Sequence, residues 1–495
     1  MNGNVTDDTL ALIKESLASG ETLAKTITTA SGLLAYDLQP SAKNLYPAAT
    51  PIRNVLPRVG GGTGTATNWR QVNAIIGSGW DAIGWVPEGQ RSGRMSYSTS
   101  TRSASYATIG EEDSVTFEAV SSAQGFEDVQ ATATMRLLQK MMLKEENALL
   151  GGNGSLQLGT APAPSLSASG SGATLPAATY SVIVVALTYE GYRNSSVSGG
   201  IATTKSVTGA DGATFTVNGG ASAPSANATQ AVTLGQTLFA SVAPVAGAVG
   251  YAWFVGAVGS EKLQAITTIS SAAFSAPLSS STQAASAIAA DYSANPGLAF
   301  DGLLTSALKA GSGAYVNYLA TGTAGAGTAL SASGRGSVNE IDLMLQKMWD
   351  LFEVSPTVLY VNSQEQRNIT SKVLSSASAP LLRFNTDGKD PFAIVANGVV
   401  EYYYNPFALD GGYKIPVKIH PFVPPGTIIG WSENLPAQYQ SSNVPNVAEV
   451  KTRRDYYRTD WPLKTRSYEF GVYAEEVLAV YAPFAMGVIS NIANG

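Results

Sequence analysis

Between Gly151 and Ala290 the sequence carries only six charged residues, Glu190, Arg193, Lys205, Asp211, Glu261 and Lys262, and the text on either side is of a different kind. The apolar runs inside it are short: TYSVIVVALT (179–188), TFTVN (214–218), TLFASVAP (237–244), GYAWFVGAV (250–258) and LQAITTIS (263–270), each followed by Gly, Asn, Ser or Pro. Short strands separated by turns, with no helical period among them, describe a β-sandwich. The Ser/Ala-rich edges, 161–172 and 271–290, read as linkers. A stretch with so little charge and its own strand pattern is expected to be a module set into a larger host.

The host begins with 34 residues, 7–40, that open on a short amphipathic stretch, Leu10, Ile13 and Leu17 after Asp7 and Asp8, too small a core to stand without a partner surface. From Ala48 to Gly64 prolines at 47, 51 and 57 deny helix, and four glycines between 60 and 64 deny a packed strand, which predicts an extended arm with a glycine pivot. Residues 68–118 alternate apolar runs with polar turns. Trp69, Val72, Ile75, Ile76, Trp80, Ile83 and Trp85 precede a polar tip from Glu88 to Arg94, the pattern of a long β-hairpin or extended loop. The tip has no core of its own, and the tryptophans near it call for something to lie against.

Residues 120–150 predict a helix. Phe126, Val129, Ala133, Leu137 and Met141 form one stripe, with Leu138, Met142 and Leu149 beside it, and Gly151 and Gly152 end it. At about 30 residues it would be roughly 45 Å long, a spine for a whole domain. Beyond the module, Ser337 with Glu340 reads as a capping box ahead of Ile341, Leu345, Met348 and Phe352. The strand TVLYV (357–361), a helix opened by Ser363 and Gln366, the strands GVVEYYY, IPVKIH and GTIIGW within 398–430, and a long β-run, YEFGVYAEEVLAVYAPF (468–484), complete an α+β pattern.

Little in the sequence supports catalysis. There is no cysteine, and the one histidine, His420, stands between Ile419 and Pro421 at the end of an extended run, the place of a strand-end residue. The phosphate-cradling glycine motifs are incomplete at Gly60–Gly64 and at Gly325–Gly327. The carboxylates at Glu111–Asp113 and the pair Glu475–Glu476 lie in strand text, where adjacent side chains point to opposite faces, so at least one acid at each place is expected to be solvated. No catalytic, cofactor-binding or metal-binding residue is assigned.

Lys451, Arg453, Arg454, Arg458, Lys464 and Arg466 interleave with Tyr456, Tyr457 and Trp461. The pattern fits a nucleic-acid stacking strip or a protein interface, and the interface is favoured because a net charge of −6 argues against general phosphate binding. No run of about 20 apolar residues and no basic-then-apolar start appear, so a soluble, non-exported chain without a membrane partner is expected.

Several phrases carry a resemblance: LLAYDLQPSAKNLYPAATPIRNVLPRVGG, GSVNEIDLMLQKMWDLFEVSPTVLYVNSQEQRNI, VPPGTIIGWSENLPAQY and YEFGVYAEEVLAVYAPFAMGVISNI. Together with the order arm, extended loop, spine helix, mixed domain and β-return, they resemble the major capsid proteins of tailed bacteriophages, of the Hong Kong 97 type. The resemblance covers about residues 30–150 and 295–495. Within the module, LPAATYSVIVVALTYEGYRNSS and VAGAVGYAWFVGA look like strands of fibronectin type III or immunoglobulin-like domains.

The resemblance implies an N-terminal arm at 1–67, an extended loop at 68–118, a spine helix of the peripheral domain at 119–152, the inserted sandwich at 153–290, an axial domain at 291–435 and a return to the peripheral domain at 436–495. It implies hexamers and pentamers closing an icosahedral shell around double-stranded DNA, assembled in the host cytoplasm and found in the virion. A separate scaffolding protein, a portal and decoration proteins would be its partners. Trp80, Trp85, Arg91, Arg94, Arg453, Arg454, Arg458 and Trp461 are the residues expected at contacts between subunits. The insert is expected on the outer face, where it would not compete with DNA for space. The family's founding cross-link uses a lysine on the loop, and no lysine occurs here between Lys43 and Lys140, so no covalent bond is expected from it. An encapsulin-like compartment shell, a secreted adhesin or carbohydrate-binding protein, and an enzyme are the competing readings.

Overall fold

Two side chains divide the expected spine. Thr116 accepts from the Ala119 amide and starts a helix over Phe117–Ser122, and Asp128 accepts from the Ala131 amide at 3.0 Å and starts a second over Val129–Gly151. A capping oxygen satisfies amides that only a helix start leaves free, so the spine helix has 23 residues and is about 35 Å long. The computed structural model describes residues 47–78, 83–124, 127–333, 336–374, 400–408, 411–436, 439 and 446–493. Phe126 and the amphipathic stretch at 7–17 lie outside these.

The spine helix packs Ala133, Leu137 and Met141 against Val115, Phe470 and Val472 of a four-stranded sheet. In that sheet Arg58–Val59 runs parallel to Ala448–Asp460, which pairs antiparallel with Ser467–Val480, which pairs in turn with Ala107–Thr116. The C-terminal turns of the helix, Leu149 and Leu150, enter the main core with Ile52, Val450, Val477 and Trp431.

The arm is not wholly extended. Pro51 begins a one-and-a-half-turn helix, Pro51–Val55, because at the first helical position proline's missing N–H costs nothing. After Arg58–Val59 the chain passes so close to the sheet that a Cβ on Gly62 would stand 2.7 Å from the ring of Tyr106 and 3.1 Å from the Thr452 carbonyl oxygen. Glycine is required there by space.

A six-stranded mixed sheet forms the second body, ordered Tyr315–Tyr318, Met486–Ser490, Ile428–Trp431, Val358–Val361, Tyr413–Ile419, Tyr402–Asn405. The helix Asn339–Phe352 lays Ile341, Met344, Leu345 and Met348 on it. It sits close: a Cβ on Gly487 would meet Met344 Sδ at 2.7 Å. Its start differs from the expected capping box. Val338 is the N-cap, the Ser337 hydroxyl donates to Asp342 instead, and Glu340 accepts from Ser331 at 3.0 Å, so both box residues are spent on other partners. The second expected helix is present at Ser363–Leu374. The final strands join the two bodies, Ser467–Val480 lying in the first sheet and Met486–Ser490 in the second.

Between them residues 165–274 form two facing sheets. One has Ser271–Phe274, Thr237–Ser241 and Ser165–Ser169; the other has Lys262–Thr267, Gly250–Gly256, Ala178–Leu187 and Ala228–Val232. Their shared core holds Val182, Val184, Trp253, Leu238, Ala240 and Phe274. The edges expected as linkers therefore each supply a strand, the period-2 alternation of SLSAS and SAAF being hidden by small side chains. A short helix, Tyr189–Asn194, capped by Thr188, also departs from the all-strand expectation.

Candidate assembly surfaces and the clamp on the arm

Neighbouring glutamates on the spine helix, Glu145 and Glu146, are both buried and hold the arm from two sides. Glu146 accepts from the Ile52 and Arg53 amides at 2.9 and 2.8 Å, at the start of the arm helix. The fully buried His420 lies 2.6 Å from the same carboxylate through Nε2, and its Nδ1 accepts from the Phe422 amide at 3.1 Å. An accepting Nδ1 leaves the proton on Nε2, so a neutral imidazole donates to Glu146. His420 stands directly after the strand Tyr413–Ile419, as its sequence context indicated, and its work is to brace a carboxylate.

Glu145 takes the other charges. Arg53, Arg58 and the Tyr456 hydroxyl all donate to it. Arg58 also reaches Asp455 at 2.6 Å and the fully buried Glu476 at 3.0 Å. Burial alone would lower the Arg58 pKa, but the bond to Asp455 and the charges of Glu145 and Glu476 outweigh it and hold the guanidinium's pKa above its ordinary value. Burial, then the charge of Glu145, pushes the Glu476 carboxyl up to about 8 against the pull of Arg58. Of the adjacent acids in the last long strand, Glu475 is half-buried and paired with Arg453 at 2.6 Å while Glu476 points inward, the alternation expected of a strand.

The strands Ala66–Ile76 and Ser96–Ser105 pair with each other in a two-stranded ribbon, shorter than the 68–118 span read from the sequence because Ala107–Thr116 joins the four-stranded sheet. Trp69 anchors the base edge-on against Tyr481, with ring centroids 5.3 Å apart. Beyond it the ribbon has no core among the described residues. Ile75 is 67% exposed and Trp85 91%, and Val72, Ile76, Met95 and Tyr97 are exposed as well. Arg91 and Arg94 are exposed near the tip, and Trp80 lies outside the described residues.

The other expected contact residues sit on the strand Ala448–Asp460 and just after it. Arg453, Arg454, Arg458 and Trp461 are exposed, and the arginines are stacked within the chain. Arg453 covers the ring of Tyr106, Arg454 that of Tyr457 and Arg458 that of Phe470, at 5.7, 4.5 and 4.6 Å from the ring centroids. Ribbon and basic strand are thus separate features, each presenting arginine and aromatic groups outward. Sequence reasoning missed the clamp. Its one local signal is the pair Glu145–Glu146 one residue ahead of the apolar ALL of the helix end.

No protein-family model matches the sequence, and no curated protein does. Among solved structures the chain is similar to the capsid of the native GTA particle, at 8% identity and a TM-score of 0.42, covering 95% of this chain and 100% of that one. It is similar to the holo-SrpI encapsulin complex of Synechococcus elongatus PCC 7942, at 9% identity and 0.40, covering 95% and 97%. It is also similar to the capsid of Myoviridae phage XM1, at 9% and 0.41, covering 94% and 100%. At these scores the likeness is one of general form and carries no assignment. Among the described residues no helix is long and apolar enough to cross a membrane.

Proposed function

We propose that this chain is a shell-building protein that assembles with copies of itself, and more finely the major capsid protein of a tailed phage head enclosing double-stranded DNA. The observation that supports the reading is the ribbon. It carries Val72, Ile75, Ile76, Trp85, Met95 and Tyr97 exposed, with no core to receive them among the described residues. Burying side chains of this size is worth roughly 1.5–3 kcal/mol each, so laying the ribbon across a neighbouring copy recovers what folding alone leaves unused. Closed symmetric assembly gives every copy that partner. Arg91 and Arg94 beside Trp85 at the tip, and Arg453, Arg454, Arg458 and Trp461 on the basic strand, supply the arginine and aromatic groups that interfaces favour. The chain's role in this reading is architectural, in hexamers and pentamers of the shell.

Negative-stain imaging and light scattering of the purified chain test the reading. Closed shells of tens of nanometres are expected, and replacing Trp85, Ile75 and Met95 together by serine should leave folded, unassembled protein. A wild-type chain that remains monomeric at high concentration, or a triple variant that assembles as well as the wild type, would count against a shell. Nuclease-protected DNA inside shells from the native source separates the phage head from a cellular compartment.

A further inference from the structure

A pocket of about 370 Å³ opens where the base of the ribbon meets the chain's two crossings into and out of the module. Trp69 and Arg102 line it from the ribbon, and the buried Phe300, Leu478 and Val480 line it from the body. Its one acid is already satisfied. Asp301 accepts from the Gly154 and Ser155 amides at 2.9 and 3.0 Å and pairs with Lys309 at 3.3 Å. What remains is apolar wall with one further cation, the exposed Arg102. Such a lining suits an uncharged aromatic group that a guanidinium can cover better than it suits a charged small molecule.

We infer that this pocket receives Trp85 from the ribbon of a neighbouring copy. Among the described residues Trp85 is the most exposed of the large apolar side chains, at 91%. It does not reach the pocket of its own chain. Ser78 and Ser92 still face each other across the ribbon at 3.3 Å, nine residues and about 30 Å from Trp69, and Trp85 lies in the loop that joins them. Glu88, the charged residue nearest to Trp85 in the sequence, has the sign opposite to Arg102; Arg91 and Arg94 follow six and nine residues after Trp85. An aromatic anchor entering a pocket is the usual energetic centre of a protein interface. The contact runs from tip to base, so repeating it around an axis closes a ring that leaves no tip and no pocket unused. It rests on the reading of the ribbon as a contact between copies and adds the place on the neighbour where the tip lands.

The probe is a fluorescently labelled hairpin peptide of residues 77–95, closed by a disulfide through Ser78→Cys and Ser92→Cys, with its binding followed by anisotropy. The target is the full chain carrying Trp85→Ser, Ile75→Ser and Met95→Ser, whose pocket no neighbour's indole fills. Saturable one-to-one binding is expected. Trp85→Ala in the peptide should weaken it at least tenfold, and Ala310→Trp in the chain, which fills the pocket from its exposed edge, should do the same. No saturable binding, or an affinity unchanged by either substitution, would overturn the proposal. The peptide substitution leaves the chain unaltered, so a fold damaged by Ala310→Trp cannot mimic the result. Imaging of the wild-type chain is read separately. Shells without peptide binding would remove this pocket and leave the shell reading, whereas peptide binding by a chain that never assembles would keep the pocket and remove the shell.

Discussion

Glu476 shares its surroundings with Glu145, and one guanidinium, Arg58, bonds to both. With Glu476 held up to about 8, the folded chain keeps a proton that the unfolded chain releases above about 4.5. The stability that this proton confers is complete below about 4.5 and is lost as pH rises through about 8. Between about pH 6 and pH 9 the wild type should lose on the order of 3 kcal/mol in denaturant melts. Glu476→Gln keeps the shape without the charge, so its stability should stay nearly flat over that window and exceed the wild type's at the alkaline end. An equal slope in both proteins would show that another group sets it. At this scale the sequence was partly legible. Exposure of Trp85 follows from the proline, glycine and charges around it, and the inward turn of one of Glu475 and Glu476 follows from strand alternation. That Glu145 meets Arg53, Arg58 and Tyr456 does not follow, because a helical period shows which face a residue is on and nothing about which distant segment will cross that face.

Among the elements, the arm and the ribbon contrast. The arm helix Pro51–Val55 is held by a carboxylate that no other group can replace. Glu146→Ala would leave the Ile52 and Arg53 amides and the His420 Nε2 proton buried without an acceptor, at a cost of about 3–5 kcal/mol. Trypsin should then cut at Arg53 and Arg58 much faster than in the wild type, as limited proteolysis would show; unchanged resistance would mean that apolar contacts of Ile52 and Leu56 suffice. The ribbon is the reverse case. Trp85→Ser should change the stability of the unassembled chain by less than about 0.5 kcal/mol, because the indole is 91% exposed. Thermal melts at low protein concentration would check it, and a large loss would mean that the indole packs on its own chain in solution. The runs at 178–187 and 467–480 and the end of the spine helix were readable from the sequence to within a few residues, whereas its start was set nine residues too early, across the break between Phe117–Ser122 and Val129–Gly151. The arm helix, the strands Ser165–Ser169 and Ser271–Phe274 and the start at Val338 were not readable. A proline at the first turn, strands made of Ser and Ala, and a Ser337 hydroxyl drawn to Asp342 each replace the usual local signal with a tertiary one.

For the molecule as a whole, the question is how firmly the inserted module belongs to its host. Composition suggests an addition on two linkers, but several contacts fasten it. Tyr189 enters the main core, and its hydroxyl donates to Asn147 of the spine helix at 2.7 Å. Arg193 covers the ring of Phe422 at 4.8 Å, Tyr318 accepts from the Gly247 amide at 3.0 Å, and the buried Asn491 accepts from the Ser270 amide at 2.6 Å. Asn491 holds a left-handed backbone, φ +64°, that this partner helps to fix. Both bodies of the host nevertheless keep all their own strands outside 165–274, and each has its own helix. Joining Gly151 to Asp291 through a short Gly/Ser linker should therefore give a chain that folds, with a stability lower by about 3–5 kcal/mol, most of it the lost cover over Leu149 and Leu150. Tyr189→Ala in the full chain, which opens the same place and otherwise removes only the hydroxyl's bond to Asn147, should cost a similar amount. If the deletion costs far more than this single substitution, or yields only aggregate, the module is a working part of the host's core and the division into host and insert fails.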